Sequence, residues 1–161
     1  MFLKYNQDSL VNSFGQIISQ QERYGILLSG KVEIDKANNL FFATDRSNLL
    51  VSYNTNGKLR FATNTITGSN LLPKPEIMKS DLIVLPKTFT TLDIKSNNEY
   101  ICLLNTSRIN NETISYIDFY NSNTGLYSYS IRIPHRVISF AFYNDILYLL
   151  DEFRINLFKV D

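Results

Sequence analysis

Residues 114–134 read ISYIDFYNSNTGLYSYSIRIP and contain two β-rich runs separated by a turn. Ile117 and Phe119 alternate with tyrosine and aspartate, which is the period of two expected of a strand with two different faces. The turn at residues 121–125 is rich in Asn and ends in Gly, residues that favour tight turns. Pro134 ends the second run because proline cannot donate a backbone hydrogen bond to a neighbouring strand. The stretch therefore predicts an antiparallel hairpin.

The composition predicts a single β-rich domain with little net charge. The chain has 161 residues, with 10 Tyr, 11 Phe and only 6 Gly, a composition that favours strands. Its 16 Lys and Arg nearly cancel its 15 Asp and Glu, so no overall field favours nucleic acid or an anionic membrane as a partner. No apolar run approaches the roughly 20 residues that a membrane-spanning helix needs.

Two further features concern the single cysteine and the start of the chain. Cys102 is the only cysteine and lies in the apolar run 100–104, which predicts a small buried thiol rather than a nucleophile. The first five residues lack the charged, apolar and small-residue zones of a signal peptide. They lead directly into what reads as the middle of a repeat, so we expect a truncated piece or a chain trimmed from a longer precursor.

The periodicity predicts short strands grouped in sets. The predicted strands are residues 2–5, 10–14, 32–35, 40–44, 49–53, 59–63, 90–94, 100–104, 114–120, 126–133, 137–142, 146–150 and 154–160. Residues 16–24 have weak helical spacing and predict a surface connection. The proline-containing stretch 65–85 predicts an extended loop with one short strand at 82–85, and residues 105–113 predict a long polar loop.

An internal repeat organises these sets. Residues 40–45, 100–105 and 146–151 overlay as an apolar strand that ends in Asp or Asn, and each is followed by a strand that runs into another Asn or Asp. Four short antiparallel strands repeated every ~45 residues are typical of β-propeller blades. A β-sandwich also uses short strands, but it does not repeat one motif at the same place in each unit.

The repeat predicts an all-β partial β-propeller of four-stranded antiparallel blades, with about three blades in one domain. Residues 31–63 and 90–133 form whole blades, 137–161 form an incomplete blade, and 1–15 supply the end of another. Closed propellers have about four to eight blades, and an open arc exposes apolar faces and unpaired edges at both ends. We therefore hypothesise that the chain is half of a longer propeller, or that two copies associate to close one ring.

The second whole blade resembles a known family. Its sequence Ile117-Asp118-Phe119-Tyr120, followed by residues 124–134, is similar to the six-bladed NHL/TolB-like propeller proteins common in Bacteroidetes, whose blades often read I-D-x-Y…x-G-x-Y-x-x-S-x-x-x-P. Residues 5–15 resemble the end of such a blade, so the likeness extends over most of the chain. Many family members look like cell-envelope lipoproteins of unassigned function. The resemblance implies a cell-envelope or periplasmic location if the chain is a fragment, although the lipobox cysteine of such proteins is absent here.

The propeller interpretation also predicts a binding face. The loops between second and third strands and the connections into each blade share one side of a propeller, which would carry Lys31, Asp45, Arg46, Lys87, Arg108, His135, Arg136, Asp151, Glu152 and Arg154. Cations outnumber anions in this set, which favours an anionic small molecule or an acidic protein surface, with Arg as the planar donor. The alternative is that these loops are simply solvated and that neighbouring Asp and Arg side chains satisfy one another.

A different alternative places a metal in the central channel. Glu33 and Asp93 overlay at equivalent places on two innermost strands and could hold Ca²⁺, as in propeller lactonases, which the arc resembles only in fold. Such sites want about six to eight oxygen ligands, and two carboxylates are too few. His135 is the only histidine, and no residue pattern nominates a nucleophile for it. We therefore predict a non-enzymatic binding module without a cofactor, the alternative being a lactonase-like metal-dependent hydrolase.

Overall fold

The computed structural model of the chain is all-β and describes residues 2–6, 9–14, 29–67, 74–78, 81–85, 91–109, 111–143 and 146–159. These residues contain no helix. Their strands are β1 (Phe2–Asn6), β2 (Ser9–Phe14), β3 (Gly30–Ile34), β4 (Leu40–Thr44), β5 (Leu49–Tyr53), β6 (Leu59–Asn64), β7 (Lys74–Met78), β8 (Asp81–Leu85), β9 (Thr91–Ser96), β10 (Tyr100–Ile109), β11 (Glu112–Asn121), β12 (Tyr127–Ile133), β13 (Ser139–Tyr143), β14 (Ile146–Leu150) and β15 (Ile155–Lys159).

The strands form three antiparallel meanders and two hairpins. Blade 1 is β3–β4–β5–β6, blade 2 is β9–β10–β11–β12 and blade 3 is β13–β14–β15, while β1–β2 and β7–β8 are two-stranded sheets. The innermost strand of blade 2, β9, contacts both β3 and β13. The first strands of the three sheets therefore run side by side, as they do around a propeller axis. The prediction of an all-β, partial propeller-like fold is confirmed, with sheets of four, four and three strands in the described part of the chain.

The apolar cores lie between blades rather than within them. Phe41 and Leu50 of blade 1 pack in one buried cluster with Ile101 of blade 2. Leu104 of blade 2 packs in a second cluster with Leu149 of blade 3. Burying one such side chain contributes about 1.5–3 kcal/mol, so each blade depends on its neighbours for stability.

The single thiol lies in the second of these cores. Cys102 is buried between blades 2 and 3, and burial raises the pKa of its thiol. A neutral buried thiol behaves as a small apolar side chain. The prediction of a small buried thiol is confirmed.

The turns at one end of the blades use the same chemistry. Asp35 and Asn97 begin the turns between first and second strands, and Asn54 and Asn121 begin those between third and fourth strands. Each side-chain Oδ1 accepts hydrogen bonds from two backbone N–H groups two to four residues later, at 2.7–3.1 Å. Such a side chain closes a turn on its own backbone, which explains the abundance of Asn.

The register corrects the sequence overlay of the repeat. Leu40 pairs with Tyr53, and Ile101 pairs with Tyr120. Because Tyr53 and Tyr120 hold the same position before the next turn, Leu40 corresponds to Ile101 and not to Tyr100. The overlay of blade 1 on the other blades was therefore wrong by one residue, and a one-residue slip in a strand exchanges its two faces.

The turn between the first and second strands adds a second difference between the two blades. In blade 1 the N–H of Asp35 donates to the carbonyl of Asn39 at 3.1 Å, whereas in blade 2 the N–H of Asn97 donates to the carbonyl of Tyr100 at 2.9 Å. The turn of blade 1 is thus one residue longer. Asn38 accommodates the extra residue with a positive φ of 60°, a conformation that Asn tolerates better than most residues.

The prediction of a long loop at residues 105–113 was wrong. Strands β10 and β11 run ten residues each, and their pairing continues to Ile109 opposite Glu112. Ser107 and Arg108 are exposed, since this end of the hairpin projects beyond the core. A strand pair that is solvated on both faces carries polar side chains throughout, and the sequence pattern alone did not distinguish it from a loop.

The stretch 65–85 contains one strand more than predicted. The short strand at 82–85 is confirmed as part of β8, but β7 before it was missed. Pro75 lies within β7 and pairs with Val84. Both strands of a two-stranded sheet are edges, the position at which a strand tolerates proline. The predicted connection at 16–24 lies outside the described residues.

The two ends of the arc differ. We expected exposed apolar faces at both ends, but the centre of the far face of blade 1, formed by Phe42, Val51 and Tyr53, is buried within the chain. Blade 3 keeps its far face exposed, with Ile155 and Leu157 open to solvent. The expectation therefore holds at the blade 3 end only.

A buried carboxylate joins blade 2 to the end of blade 1. Asp118 accepts hydrogen bonds from Ser130 Oγ at 2.5 Å, Asn105 Nδ2 at 2.5 Å and Thr67 Oγ1 at 3.1 Å. Burial raises the pKa of Asp118, and the three hydrogen bonds work in the opposite direction. Because Thr67 follows β6, this network fixes the segment that leaves blade 1 against blade 2.

Replacing Gly125 with Ala should destabilise the contact between blades 1 and 2. Gly125 has a φ of 73°, and a Cβ there would lie 2.5 Å from the ring of Phe61 on β6. We expect Gly125→Ala to lower the free energy of unfolding by about 2–4 kcal/mol, from backbone strain and overpacking together. Gly57→Ala changes the corresponding turn of blade 1, where φ is 76°, and should cost about 1 kcal/mol. Urea unfolding measures both, and equal losses would contradict the role of Phe61.

Candidate functional site

A groove on the predicted loop face lies where blades 2 and 3 meet. It has a volume of about 840 Å³ and is lined by Glu112, Thr113, Pro134, His135, Arg136, Asp151, Glu152, Phe153 and Arg154. These residues come from the start of β11, the connection from β12 to β13 and the turn between β14 and β15. We call this site the loop-face groove.

Asp151 builds the turn that forms one wall of the groove. Its Oδ1 accepts hydrogen bonds from the backbone N–H groups of Phe153 and Arg154, each at 2.8 Å, and its Oδ2 accepts one from Asn156 Nδ2 at 2.9 Å. These donors, the N–H of Phe153 first among them, lower the pKa of Asp151 to about 2. The carboxylate is therefore ionised at neutral pH and serves the turn.

The connection from β12 to β13 forms the opposite wall. Pro134 follows the end of β12, where a proline stops further strand pairing. Val137 is fully buried, and its backbone N–H donates to Ser115 Oγ at 2.8 Å. This anchor holds His135 and Arg136 over the groove.

The charged side chains of the groove pair with one another. Arg136 Nη1 lies 3.1 Å from Glu152 Oε1, and Arg154 Nε lies 3.4 Å from Asp151 Oδ2. His135 Nε2 lies 3.9 Å from Asp151 Oδ2 and is buried without a hydrogen-bond partner. The two arginine side chains are largely exposed, and ion pairs of this kind contribute about 0.2–1 kcal/mol each. Both arginines can therefore leave these ion pairs and pair with charged groups of a partner.

The structure brings together five of the ten residues of the predicted binding face. His135, Arg136, Asp151 and Arg154 line the groove, and Glu152 lies with them. The pairing of Arg154 with Asp151 also matches the alternative interpretation, in which neighbouring Asp and Arg satisfy one another. The groove is thus a mixed-charge surface rather than a cationic one.

Four of the remaining five predicted residues do not line the groove. Asp45 and Arg46 occupy the corresponding turn of blade 1, where Asp45 is buried and its Oδ1 lies 4.0 Å from Arg46 Nε. Lys31 is exposed on β3, and Arg108 is exposed on the projecting end of β10. Lys87 lies outside the described residues.

Phe153, the one aromatic residue that lines the groove, was not predicted. Phe153 is 93 % exposed at the tip of the turn between β14 and β15. Glu112 and Thr113, also missed, belong to the stretch mistaken for a loop. The available signal was an isolated aromatic residue inside a polar turn, where solvated side chains are the rule.

The register also separates the two carboxylates predicted to share the channel. Glu33 lies opposite Phe41 on β4. Cys102 is the corresponding residue on β10, and it lies opposite Lys95. Glu33 therefore corresponds to Lys95, which lies two residues after Asp93 on the same strand. The equivalence expected of Glu33 and Asp93 was wrong by two residues, one from the slip in the overlay and one from the longer turn of blade 1.

Both carboxylates instead bond to the next blade. Glu33 Oε1 accepts hydrogen bonds from the backbone N–H and the Oγ of Ser96, each at 3.0 Å. Asp93 Oδ2 accepts one from Ser139 Oγ at 2.5 Å, and its Oδ1 lies 3.2 Å from Lys95 Nζ. Within the described part of the chain, no three His, Cys, Asp or Glu side chains are grouped to hold a metal ion.

The fold and the groove define a chain of propeller-like blades with a mixed-charge groove on one face. No family model, curated protein or solved structure matches this chain. Across the residues that the structure describes, we find no helix of the length and apolar character required to cross a membrane.

Replacing Asp151 with Ala should open the turn that carries Phe153. Asp151→Asn keeps an acceptor oxygen, as Asn54 and Asn97 do in other turns, and should preserve it. Because the native pKa of about 2 is below the ordinary value of 3.8, the stabilising effect of this carboxylate is fully present above about pH 4 and is lost as the pH falls through about 2.

Amide hydrogen exchange at Phe153 and Arg154 measures this effect. We expect Asp151→Ala to accelerate exchange by at least about tenfold at neutral pH and Asp151→Asn to change it little. The difference in thermal stability between wild type and Asp151→Ala should shrink as the pH falls from about 4 to about 2. Equal acceleration by Asn and Ala would show that charge, and not the acceptor oxygen, holds the turn.

Proposed function

We propose that this chain is a non-enzymatic, protein-binding part of a β-propeller, and that the loop-face groove holds the partner. The observation that carries the proposal is the position of Phe153, which is 93 % exposed beside two exposed arginines. Aromatic residues and Arg are the types that most often anchor protein interfaces. An apolar ring held in water by a well-formed turn gains free energy once a partner covers it.

The charge balance of the groove favours a protein over an anionic small molecule. The groove contains more carboxylates than guanidinium groups. The carboxylates are those of Glu112, Asp151 and Glu152, and the guanidinium groups are those of Arg136 and Arg154. Anion sites concentrate unpaired donors, whereas both arginines here already have a carboxylate within 3.4 Å. A partner with both acidic and basic groups around an apolar pocket would exchange these pairs for its own.

The proposal includes kinship with six-bladed NHL/TolB-like propellers. Its support is the repetition of turn chemistry, with Asp35 and Asn97 at one turn of the blades and Asn54 and Asn121 at another. The contacts of β9 with β3 and β13 are a second support, since they give the sheets a shared inner side. In such proteins the loop face can bind partners, because the rigid sheets position its loops.

Capture experiments with matched variants test the groove. The chain is immobilised and exposed to a lysate of its source cells, and the bound proteins are quantified by mass spectrometry. We expect a partner recovered by the wild type to fall by at least about tenfold with Phe153→Ala and with Arg154→Glu. Leu126→Ala serves as the control because Leu126 is also an exposed apolar turn residue but lies outside the groove.

Two outcomes would contradict the proposal. One is recovery that does not change with either groove variant. The other is loss of the same partner with Leu126→Ala, which would place the binding surface at the opposite ends of the strands. Circular dichroism of each variant shows that the fold is kept, as expected for substitutions at exposed positions.

A further inference from the structure

Blade 3 lacks a fourth strand in the described part of the chain. The third strands of blades 1 and 2, β5 and β11, each pair with a strand on either side. Among the described strands, β15 pairs with β14 only. The outer edge of a sheet presents backbone donors and acceptors that another strand can use. We call the outer edge of β15 the fourth-strand position.

Backbone hydrogen bonds show which groups of β15 face this position. The N–H of Asp151 donates to the carbonyl of Arg154 at 3.1 Å, so these two residues form a hydrogen-bonded pair at the start of the β14–β15 ladder. Hydrogen-bonded and non-hydrogen-bonded pairs alternate along an antiparallel ladder. Ile155 and Leu157 therefore direct their N–H and C=O groups away from β14 and toward the fourth-strand position.

A side chain on the inner face of β15 is exposed where its counterpart in blade 2 is buried. Phe158 pairs with Leu147, which points into the core shared with blade 2, yet Phe158 is 47 % exposed. Tyr120 holds the same place in blade 2, opposite Ile101, and is 0 % exposed. The fourth strand accounts for the difference, because β12 places the ring of Tyr127 with its centroid 5.8 Å from that of Tyr120.

The side chains on the other face of β15 show the same difference. Ile155 and Leu157 are each 61 % exposed. Ile117 and Phe119 hold the same positions in β11 and are 0 % exposed. Phe119 is covered in part by the fourth strand, since Tyr129 of β12 stacks on it at 4.4 Å. An added strand would cover side chains on both faces of β15 at once, which a flat partner surface would not.

We infer that the partner of the loop-face groove binds in part as an extended segment that pairs with β15, antiparallel as β12 pairs with β11, and completes blade 3. This inference rests on the proposed function. The groove and the fourth-strand position are continuous, because Phe153 and Arg154 line the groove and β15 begins at Ile155. An antiparallel segment runs toward the groove, so the residues that follow it reach Phe153.

Blade 2 shows which side chains suit such a segment. Tyr129 and Ile131 of β12 pair with the two β11 positions compared above. We therefore expect the segment to place an aromatic residue opposite Leu157 and an aliphatic residue opposite Ile155. Ser130 lies between the two β12 residues, so a small polar residue suits the middle position. When a strand is added to a sheet, main-chain hydrogen bonds supply affinity and alternate side chains supply specificity.

A peptide with the sequence of residues 125–134, GLYSYSIRIP, is the probe for the fourth-strand position. Fluorescence polarisation with the full chain should show saturable binding with a dissociation constant below about 1 mM. N-methylation at the Ile131 position removes an N–H that faces β15, so it should weaken binding at least about fivefold. N-methylation at the Ser130 position, whose N–H faces away, is the matched control and should change binding little. Leu157→Pro removes the facing N–H from the chain at an edge that tolerates proline, and should also weaken binding.

Competition tests whether the partner uses this edge. The peptide in excess should lower recovery of the lysate partner at least about fivefold, and the peptide methylated at Ile131 should not. Absence of peptide binding, equal binding of the two methylated peptides, or undiminished partner recovery would each overturn the inference. Loss of the partner with Phe153→Ala alongside failed competition leaves the groove proposal intact and overturns strand pairing only. If Leu157→Pro does not fold, the methylated peptides still decide the outcome, because they leave the chain unchanged.

Discussion

The stability of this molecule depends on the burial of apolar faces between neighbouring sheets. A single meander of three or four strands has two faces and no interior of its own. Here Phe41 and Leu50 are buried only because blade 2 packs on them, and Leu104 is buried only because blade 3 does. The blades therefore fold as a stack, in which each interface stabilises the two sheets that share it.

Polar contacts then fix the blades in register. Glu33 bonds to Ser96 and Asp93 bonds to Ser139, so carboxylates on two innermost strands each reach the next blade. Asp118 performs a similar task on the third strand of blade 2. Buried polar groups of this kind add specificity as well as energy, because an apolar face alone tolerates sliding. Acidic residues near the centre of the molecule thus have a structural role.

The sequence allowed the fold to be predicted better than the site. Alternation and turn residues located β4, β5 and β14 to the residue, because these strands are apolar and each is followed directly by Asp or Asn. Alternation could not reveal the solvated half of the β10–β11 hairpin, which has no buried face to mark it. Nor could it show that the turn after Asp35 is one residue longer than its counterpart, a difference visible only in hydrogen bonding.

The repeat predicted which loops of neighbouring blades lie together, but it did not predict which single residues correspond between blades. His135 and Arg136 meet Asp151 and Arg154 because the connection into blade 3 lies beside the turn after β14, which the repeat implied. Glu33 and Asp93 were paired through a wrong alignment. Phe153 is apolar, so a binding face defined by its charged residues did not include it. An aromatic residue in a polar turn is as much a candidate for a binding site as an ionisable one.

The lone thiol provides a built-in reporter of blade separation. Cys102 is buried between blades 2 and 3 and is the only cysteine in the chain. A thiol-specific probe can reach it only when that interface opens, and the raised pKa keeps it unreactive until then. The labelling rate under native conditions therefore gives the free energy of parting these two sheets, separately from the rest of the molecule.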